Sequence, residues 1–240
     1  MINKRGREMQ HRNIRILVVS ASPRKYGAIA FAQELIVRLC KEVENVDVDA
    51  VNVYDYNIQP CIGCVSDNVK MCKIPCVIND DMSELYERVI SSDGIIFVTP
   101  IYWYNVPGPL KNFIDRLTLL ENAIFTEGRS KAEGKVTGFV VIGNDTGAIA
   151  VIQNLMAVLN SFGTIIPPWA LAYHTLESHP IENDKFLLDL ANVVRCVILM
   201  VRLVKEGIKI DYWYRADEEY KNLVKSLAGK VLAEIQKTIL

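Results

Sequence analysis

Cys61, Cys64, Cys72 and Cys76 stand within the single short stretch CIGCVSDNVKMCKIPC, spaced C-x2-C-x7-C-x3-C. Four thiolates this close in sequence can close around one metal centre without help from distant chain. An iron–sulfur cluster takes four cysteines, and a tetrahedral zinc ion takes the same four. The two pairs stand closer together than in the commoner zinc-ribbon spacing. Disulfides, for which four cysteines allow three pairings, and free thiols are the remaining readings. The other two cysteines, Cys40 and Cys196, fall within helical apolar patterns and read as core residues.

Three further stretches carry chemistry. SASPRKYGA (20–28) follows an apolar run and opens a helical one. A helix start presents unpaired N–H groups and the positive end of the helix dipole. Ser20 and Ser22 add hydroxyls, Arg24 adds a permanent cation suited to phosphate, and Gly27 lets the backbone approach an anion closely. The stretch suits a phosphate cradle. It is neither G-x-x-x-x-G-K-[ST] nor G-x-G-x-x-G, which argues against ATP and against a dinucleotide held in Rossmann fashion. TPIYWYNVPGPLKNFIDR (99–116) sets Tyr102, Trp103 and Tyr104 between prolines, an arrangement suited either to a flat conjugated ring or to a hydrophobic contact. GNDTGAIA (143–150) places two glycines at a strand end, where backbone groups can line the edge of a heterocycle.

The elements that must position these stretches follow from periodicity. Strands are expected at 14–22, 46–55, 93–100, 135–144 and, weakened by two prolines, 164–175. Helices are expected at 26–43, 80–92, 106–120, 147–162, 183–206 and 216–237. Strands alternating with helices imply a parallel sheet covered on both faces. The carboxyl ends of its strands are where ligands bind, and all four chemistry-bearing stretches leave carboxyl ends. Asp80 and Asp81 are expected to favour the N-terminus of the helix they precede. Lys111 and Arg116 are expected to be solvated or paired on a helix face, and His174 and His179 to be structural or at the surface.

The totals bound the remainder. At 240 residues, half of them hydrophobic, the chain suits one large domain or a domain with an added piece. A net charge of -1 gives no nucleic-acid footprint. The first residues, MINKRGREMQHRN, are basic and polar, and read as a mobile tail (1–13) rather than a secretory signal. The longest apolar run, 186–204, is interrupted by Asp189, Arg195 and Arg202 and reads as a buried or subunit-facing helix rather than a membrane span. A cytoplasmic chain is expected. A boundary near 207–220 would set a main domain (14–207, with its cysteine-rich loop at 57–79) apart from a helical appendage (208–240).

Taken together, the SPR of residues 22–24, the segment 99–116 and the glycine loop resemble the NAD(P)H-dependent FMN reductase family, over about residues 14–175. The segment 99–116 is similar to that family's P-x-Y…K-N-x-x-D-R pattern. The PCIGC of 60–64 with CVINDDM at 76–82 resembles the family's iron–sulfur flavoprotein branch. The resemblance implies a flavodoxin-like three-layer α/β sandwich with a five-stranded parallel sheet in the order 2-1-3-4-5, plus extra C-terminal helices. It implies FMN held at its phosphate by Ser20, Ser22, Arg24, Gly27, Ala28 and Ile29. Pro100, Ile101, Tyr102, Trp103, Tyr104, Asn105, Gly143 and Asn144 would frame the ring. Cys61, Cys64, Cys72 and Cys76 would be the ligands of a [4Fe-4S] cluster. Two departures stand out. Gly27, Ala28 and Ile29 replace a Ser/Gly-Asn-Thr run, and the third cysteine is displaced to Cys72 from its usual place near Val65–Asp67.

What the resemblance implies for function is an oxidoreductase passing electrons from NAD(P)H or ferredoxin through FMN to a quinone, an oxygen species, a metal ion or a second protein. No side chain is required as general acid or base, because the cofactor carries the chemistry. An electron carrier without its own small-molecule turnover is the alternative, and a zinc-stabilised binding module that has lost flavin is a second. A homodimer or homotetramer is expected.

Overall fold

The computed structural model describes residues 13–207, 214 and 217–239, the stretch 232–239 by its backbone alone. The basic stretch 1–12 and most of the expected boundary at 207–220 lie outside the described residues. The elements are β1 (Ile14–Ser20), α1 (Ala28–Lys41), β2 (Val46–Asn52), α2 (Met82–Ser91), β3 (Gly94–Pro100), α3 (Gly108–Arg116), α4 (Thr118–Glu127), β4 (Val136–Ile142), α5 (Ala148–Ser161), β5 (Leu171–His174), α6 (Asp184–Gly207) and α7 (Glu218–Ile239).

The five strands form one parallel sheet in the order β2-β1-β3-β4-β5, the flavodoxin-like order. The central strands β3 and β4 are buried almost throughout, as near-continuous apolar runs between two helical layers must be. The edge strand β2 alternates instead, with Asp47 and Asp49 exposed. Successive side chains point to opposite faces of the sheet. Ile16, Val18, Ile96, Val98 and Val140 therefore pack with α1 and α6. Leu17, Val19, Ile95, Phe97, Phe139 and Val141 pack with α2, α3, α4 and α5 on the other side. Register decides where the loops emerge. Ser20 lies opposite both Asn52 and Val98, and Pro100 lies opposite Ile142. The loops after β1, β2, β3 and β4 thus leave from one edge of the sheet.

Helix α6 lies close on its face because two strand positions facing it are glycines. A Cβ on Gly138 would stand 2.8 Å from Val193 Cγ1 and 2.9 Å from Val197 Cγ2, and one on Gly94 would stand 3.0 Å from Val197 Cγ1 and 3.3 Å from Val201 Cγ2.

Three expectations need correction. The helix expected over 106–120 is two helices hinged at Leu117. Its N–H reaches both the Phe113 carbonyl (3.2 Å) and the Ile114 carbonyl (3.0 Å), a tightened last turn. The turn re-aims the chain so that Leu119 and Leu120 join Leu117 in one core. The strand expected over 164–175 is shortened to four residues, because Pro167 and Pro168 have no N–H to give and Trp169 takes φ 55. Ile165 still pairs with Val136 ahead of the interruption.

The third correction is to the setting of Arg116, which is paired, as one of the two expectations had it, but buried, at 2% exposed. It forks onto Asp80, Nη1 to Oδ2 at 2.7 Å and Nη2 to Oδ1 at 3.0 Å, with both side chains 1% exposed. Asp80 also accepts from the backbone N–H of Gln59 (2.9 Å) and of Met82 (3.1 Å), the latter at the start of α2. Burial alone would raise the Asp80 carboxyl. Arg116 and the two N–H groups outweigh it and hold the carboxyl below the usual range.

Gly138→Ala should cost about 1–3 kcal/mol in denaturant unfolding, through overpacking against α6. Asp80→Asn leaves Arg116 as an uncompensated buried cation and should cost about 3–5 kcal/mol at pH 7. Because the Asp80 carboxyl is held low in the folded state, the wild-type advantage should be complete above the ordinary carboxylate value of about 3.9. It should disappear as pH falls through the folded value, an order that unfolding curves of the two proteins across pH would check.

Candidate functional site

At the carboxyl edge of the sheet lies a cavity of about 410 Å³, within the size range of small-molecule sites. One end is built by the loop after β1. Ser22 accepts a hydrogen bond from the N–H of Arg24 on its Oγ (3.2 Å). Asn52, at the end of β2, secures the loop: its Nδ2 donates to the Ser22 carbonyl (2.7 Å) and its Oδ1 accepts from the Ser22 N–H (3.2 Å). Gly27, at φ 98, precedes α1, which begins with no side-chain cap. The first N–H groups of α1 are therefore left to solvent or to a ligand. Arg24 is exposed, and Ser22, Arg24, Tyr26, Ala28 and Ile29 line the cavity.

Ser20 does not. Its hydroxyl lies beneath the loop, between Gln33 Oε1 (3.0 Å) and the Val51 carbonyl (3.3 Å), and is 1% exposed. Gly27 shapes the turn without forming part of the lining.

The other end is the loop after β3. Tyr102 and Asn105 exchange two backbone hydrogen bonds (2.8 and 3.0 Å) around Trp103 at φ 51 and Tyr104 at φ 63. Positive φ at both central residues defines a type I′ turn, which ordinarily takes Asn-Gly. Two aromatic residues held there store strain. Trp103 is 94% exposed. Pro100, Ile101, Tyr102, Trp103 and Tyr104 line the cavity. Asn105 closes the turn instead, its Oδ1 accepting from the Val106 N–H (2.8 Å).

The loop after β4 contributes Gly143 and Asn144 as expected from sequence, together with Asp145 and Thr146. Its glycines admit protein as well as any ligand. A Cβ on Gly143 would lie 2.7 Å from Ile101 Cδ1, and one on Gly147 would lie 3.0 Å from Tyr104 Cδ1. The aromatic loop thus rests directly on the glycine loop. The Gly143 N–H is already taken by the His174 carbonyl at 2.8 Å.

The four cysteines line a second cavity, walled also by Ile62, Val77, Ile78, Arg116 and Leu119. All four are free thiols; Cys64 and Cys72 are buried, Cys76 half-buried and Cys61 exposed. Their sulfurs are not drawn onto one point. Among the described residues, no three His, Cys, Asp or Glu side chains gather closely enough to hold a single metal ion. Gly63 N–H points at Cys61 Sγ (3.5 Å). Burial pushes the Cys72 thiol up to about 11, and Cys64, Cys61 and Cys76 add to the shift.

Three buried or part-buried side chains suspend this loop. Arg116 donates to the carbonyls of Gln59 (3.1 Å) and Ile78 (3.4 Å). Asn112 donates to the Ile58 carbonyl (3.1 Å). Asn122, 1% exposed, donates to the carbonyls of Val69 (2.8 Å) and Cys72 (2.7 Å). None of these roles was expected from sequence. The available signal was a polar residue on an apolar helical face, Asn122 beside Leu119, Leu120 and Ala123. Asp81 ties the loop, accepting from the Asn57 N–H (2.7 Å), and although it stands at the N-terminus of α2 its side chain makes no cap there. His174 is buried, bonded to the Ser178 carbonyl (2.8 Å) and to Asn183 (3.2 Å), and His179 caps the short turn at Pro180–Glu182. Cys40 is core, while Cys196 is half-buried.

The profile of the NADPH-dependent FMN reductases matches residues 14–175. An iron–sulfur flavoprotein of Archaeoglobus fulgidus is 30% identical over 169 residues, 69% of this chain and 71% of its own length. One from Methanosarcina thermophila is 28% identical over 175 residues, 71% of this chain and 86% of its own. The structure of RosB with bound 8-demethyl-8-formylriboflavin-5'-phosphate aligns with a TM-score of 0.72 at 18% identity, covering 90% of this chain and 87% of that one. The RosB likeness speaks to the fold, and the profile and the archaeal relatives to kinship. The chain belongs to the NADPH-dependent FMN reductase family, in its iron–sulfur flavoprotein branch, and is a flavodoxin-like oxidoreductase.

Proposed function

We propose that this oxidoreductase binds FMN in the cavity between its first, third and fourth strand-end loops. In this reading it passes electrons from NAD(P)H or ferredoxin to a quinone, an oxygen species, a metal ion or a protein acceptor, with a [4Fe-4S] cluster on Cys61, Cys64, Cys72 and Cys76. The observation that carries the flavin reading is the polarity of one cavity. A cation and an uncapped helix start stand at one end, and an aromatic turn resting on a glycine loop stands at the other. That polarity suits a molecule with a phosphate at one end and a flat ring at the other.

The residues divide the work. Ser22, Arg24 and the N–H groups of Ala28 and Ile29 would hold the phosphate, replacing the hydroxyl and amide side chains that relatives of this family often carry there. Tyr102, Trp103 and Tyr104 would frame the ring with Gly143 and Asn144, while Ile101 and Tyr104 keep the two loops in contact and water out between them. FMN, when bound, supplies the acceptance of hydride from a nicotinamide and the release of electrons onward.

The cysteine donor set fits a four-iron cluster, and the loop that carries it is already suspended by Arg116, Asn112 and Asn122. The curated relatives, named as iron–sulfur flavoproteins, support the same assignment.

In this reading residues 14–207 form the cofactor-binding domain and 208–240 an appendage for contacts between subunits. Leu188, Leu199 and Leu203 on α6 and Leu223, Val224 and Leu227 on α7 are exposed apolar residues suited to a homodimer or homotetramer. Among the described residues no helix is long and apolar enough to cross a membrane.

Protein purified without oxygen should show flavin bands, broad thiolate-to-iron absorbance and about four irons per chain. Flavin with zinc or no metal would overturn the cluster; a chain that cannot be loaded with FMN would overturn the whole reading. Arg24→Ala should weaken FMN binding by about tenfold or more, the scale of a lost charge-assisted hydrogen bond. Quenching of flavin fluorescence on titration into the apoprotein would measure this, and far-UV circular dichroism should not change because Arg24 is exposed.

A further inference from the structure

The Arg116 guanidinium has five N–H bonds to place. The four on its terminal nitrogens meet Asp80 twice and the carbonyls of Gln59 and Ile78. The fifth, on Nε, is buried and has no partner. Among the described residues Nε of Arg116 is the one buried side-chain nitrogen or oxygen in that condition. An unmet buried donor is costly, and more so on a charged group.

This side chain is also a wall of the cysteine cavity, whose other non-cysteine walls are mostly apolar. The acid beside it, Asp115, pairs with Lys111 along α3 (2.5 Å). Cys76 and Arg116 line the same cavity, and both Tyr86 and Cys76 act electrostatically on the guanidinium. Tyr86 is itself anchored by donating to the Arg116 carbonyl (3.1 Å). The four cysteines share this cavity with Arg116, and Asp115 and Thr118 are its remaining polar walls.

We infer that Arg116 is a positioning residue for the metal–thiolate centre, its Nε–H donating to an anionic sulfur, either Cys76 Sγ or a bridging sulfide. The inference rests on the cluster reading given above. The plane of the guanidinium is fixed in advance by Asp80, Gln59 and Ile78. Hydrogen bonds to the sulfurs and nearby charge are levers by which a protein sets such a centre's potential. Reduction by one electron, from the chain's flavin or from dithionite in vitro, adds one negative charge with no bond made or broken. A fixed cation with a directed N–H stabilises the more negative state more, so Arg116 raises the potential.

The test uses the reconstituted holoprotein. Arg116→Lys keeps a cation for Asp80 and removes the Nε–H. In a potentiometric titration followed by electron paramagnetic resonance, the variant should favour the oxidised state about tenfold more, a downward shift of about 59 mV for one electron. Should that variant fail to fold, the wild type answers alone. Wild-type protein labelled with 15Nε-arginine should show a nitrogen hyperfine coupling to the reduced cluster.

An unchanged potential, or a reduced cluster without that coupling, overturns the inference while leaving the cluster reading intact. Should no cluster assemble, cobalt(II) titrated into anaerobic apoprotein decides separately. Thiolate-to-cobalt absorbance with about tenfold weaker binding by Arg116→Lys upholds the role of Arg116, although the cluster reading fails. Equal binding by the two proteins overturns that role. Absence of any cobalt–thiolate absorbance overturns both.

Discussion

A guanidinium taken out of water must meet negative charge and hydrogen-bond acceptors where it stands, and much of this molecule is arranged around that demand at Arg116. Asp80 meets the charge, and through Gln59 and Met82 the same carboxylate joins the entrance of the cysteine loop to the start of α2. The carbonyls of Gln59 and Ile78 are drawn to the other side of the guanidinium. A pair of apolar side chains of similar volume would stabilise the fold as well. They could not hold two backbone segments on either side of the cysteines at hydrogen-bonding distance. The ion pair serves geometry first, and the loop inherits its shape from it.

The other end of the site depends on absence of side chain rather than on charge. Gly143 and Gly147 leave room for Ile101 and Tyr104, so the aromatic turn is seated on the glycine loop rather than projecting freely. That seating helps hold Trp103 and Tyr104 at backbone angles they would not otherwise choose. On the opposite face Gly94 and Gly138 do the same for α6. Close approach at four glycines is how one sheet carries both a tightly packed helix and a shaped ligand edge.

Much of this was readable beforehand, because parallel strands buried on both sides announce themselves as apolar runs, and strand ends are where loops carry chemistry. Ser22, Arg24 and the aromatic run at 102–104 line one cavity, as their residue types and loop positions suggested. Ser20 misled: a hydroxyl in a promising loop looks the same whether it faces the cavity or, as here, the Gln33 side chain and the Val51 carbonyl. Arg116 misled for a deeper reason. A cation on a helix has a solvated default, and only the tertiary meeting with Asp80, 36 residues away in sequence, removes it from water. Asn112 and Asn122 were invisible for the same cause, since their partners are carbonyls 50 to 54 residues distant. The hinge at Leu117 left no mark in an unbroken apolar pattern.

Helix α3 begins just after the aromatic turn and ends at Arg116, so the two cavities are joined by nine residues of continuous helix. At 1.5 Å per residue that is a strut of about 13.5 Å. A surface loop tolerates a changed length, but this strut does not. One residue gained or lost would swing everything beyond it by about 100° and shift it by about 1.5 Å. The guanidinium would leave its carboxylate, and the cysteine loop would leave its mooring. In any descendant of this gene, α3 should therefore drift in sequence long before it drifts in length.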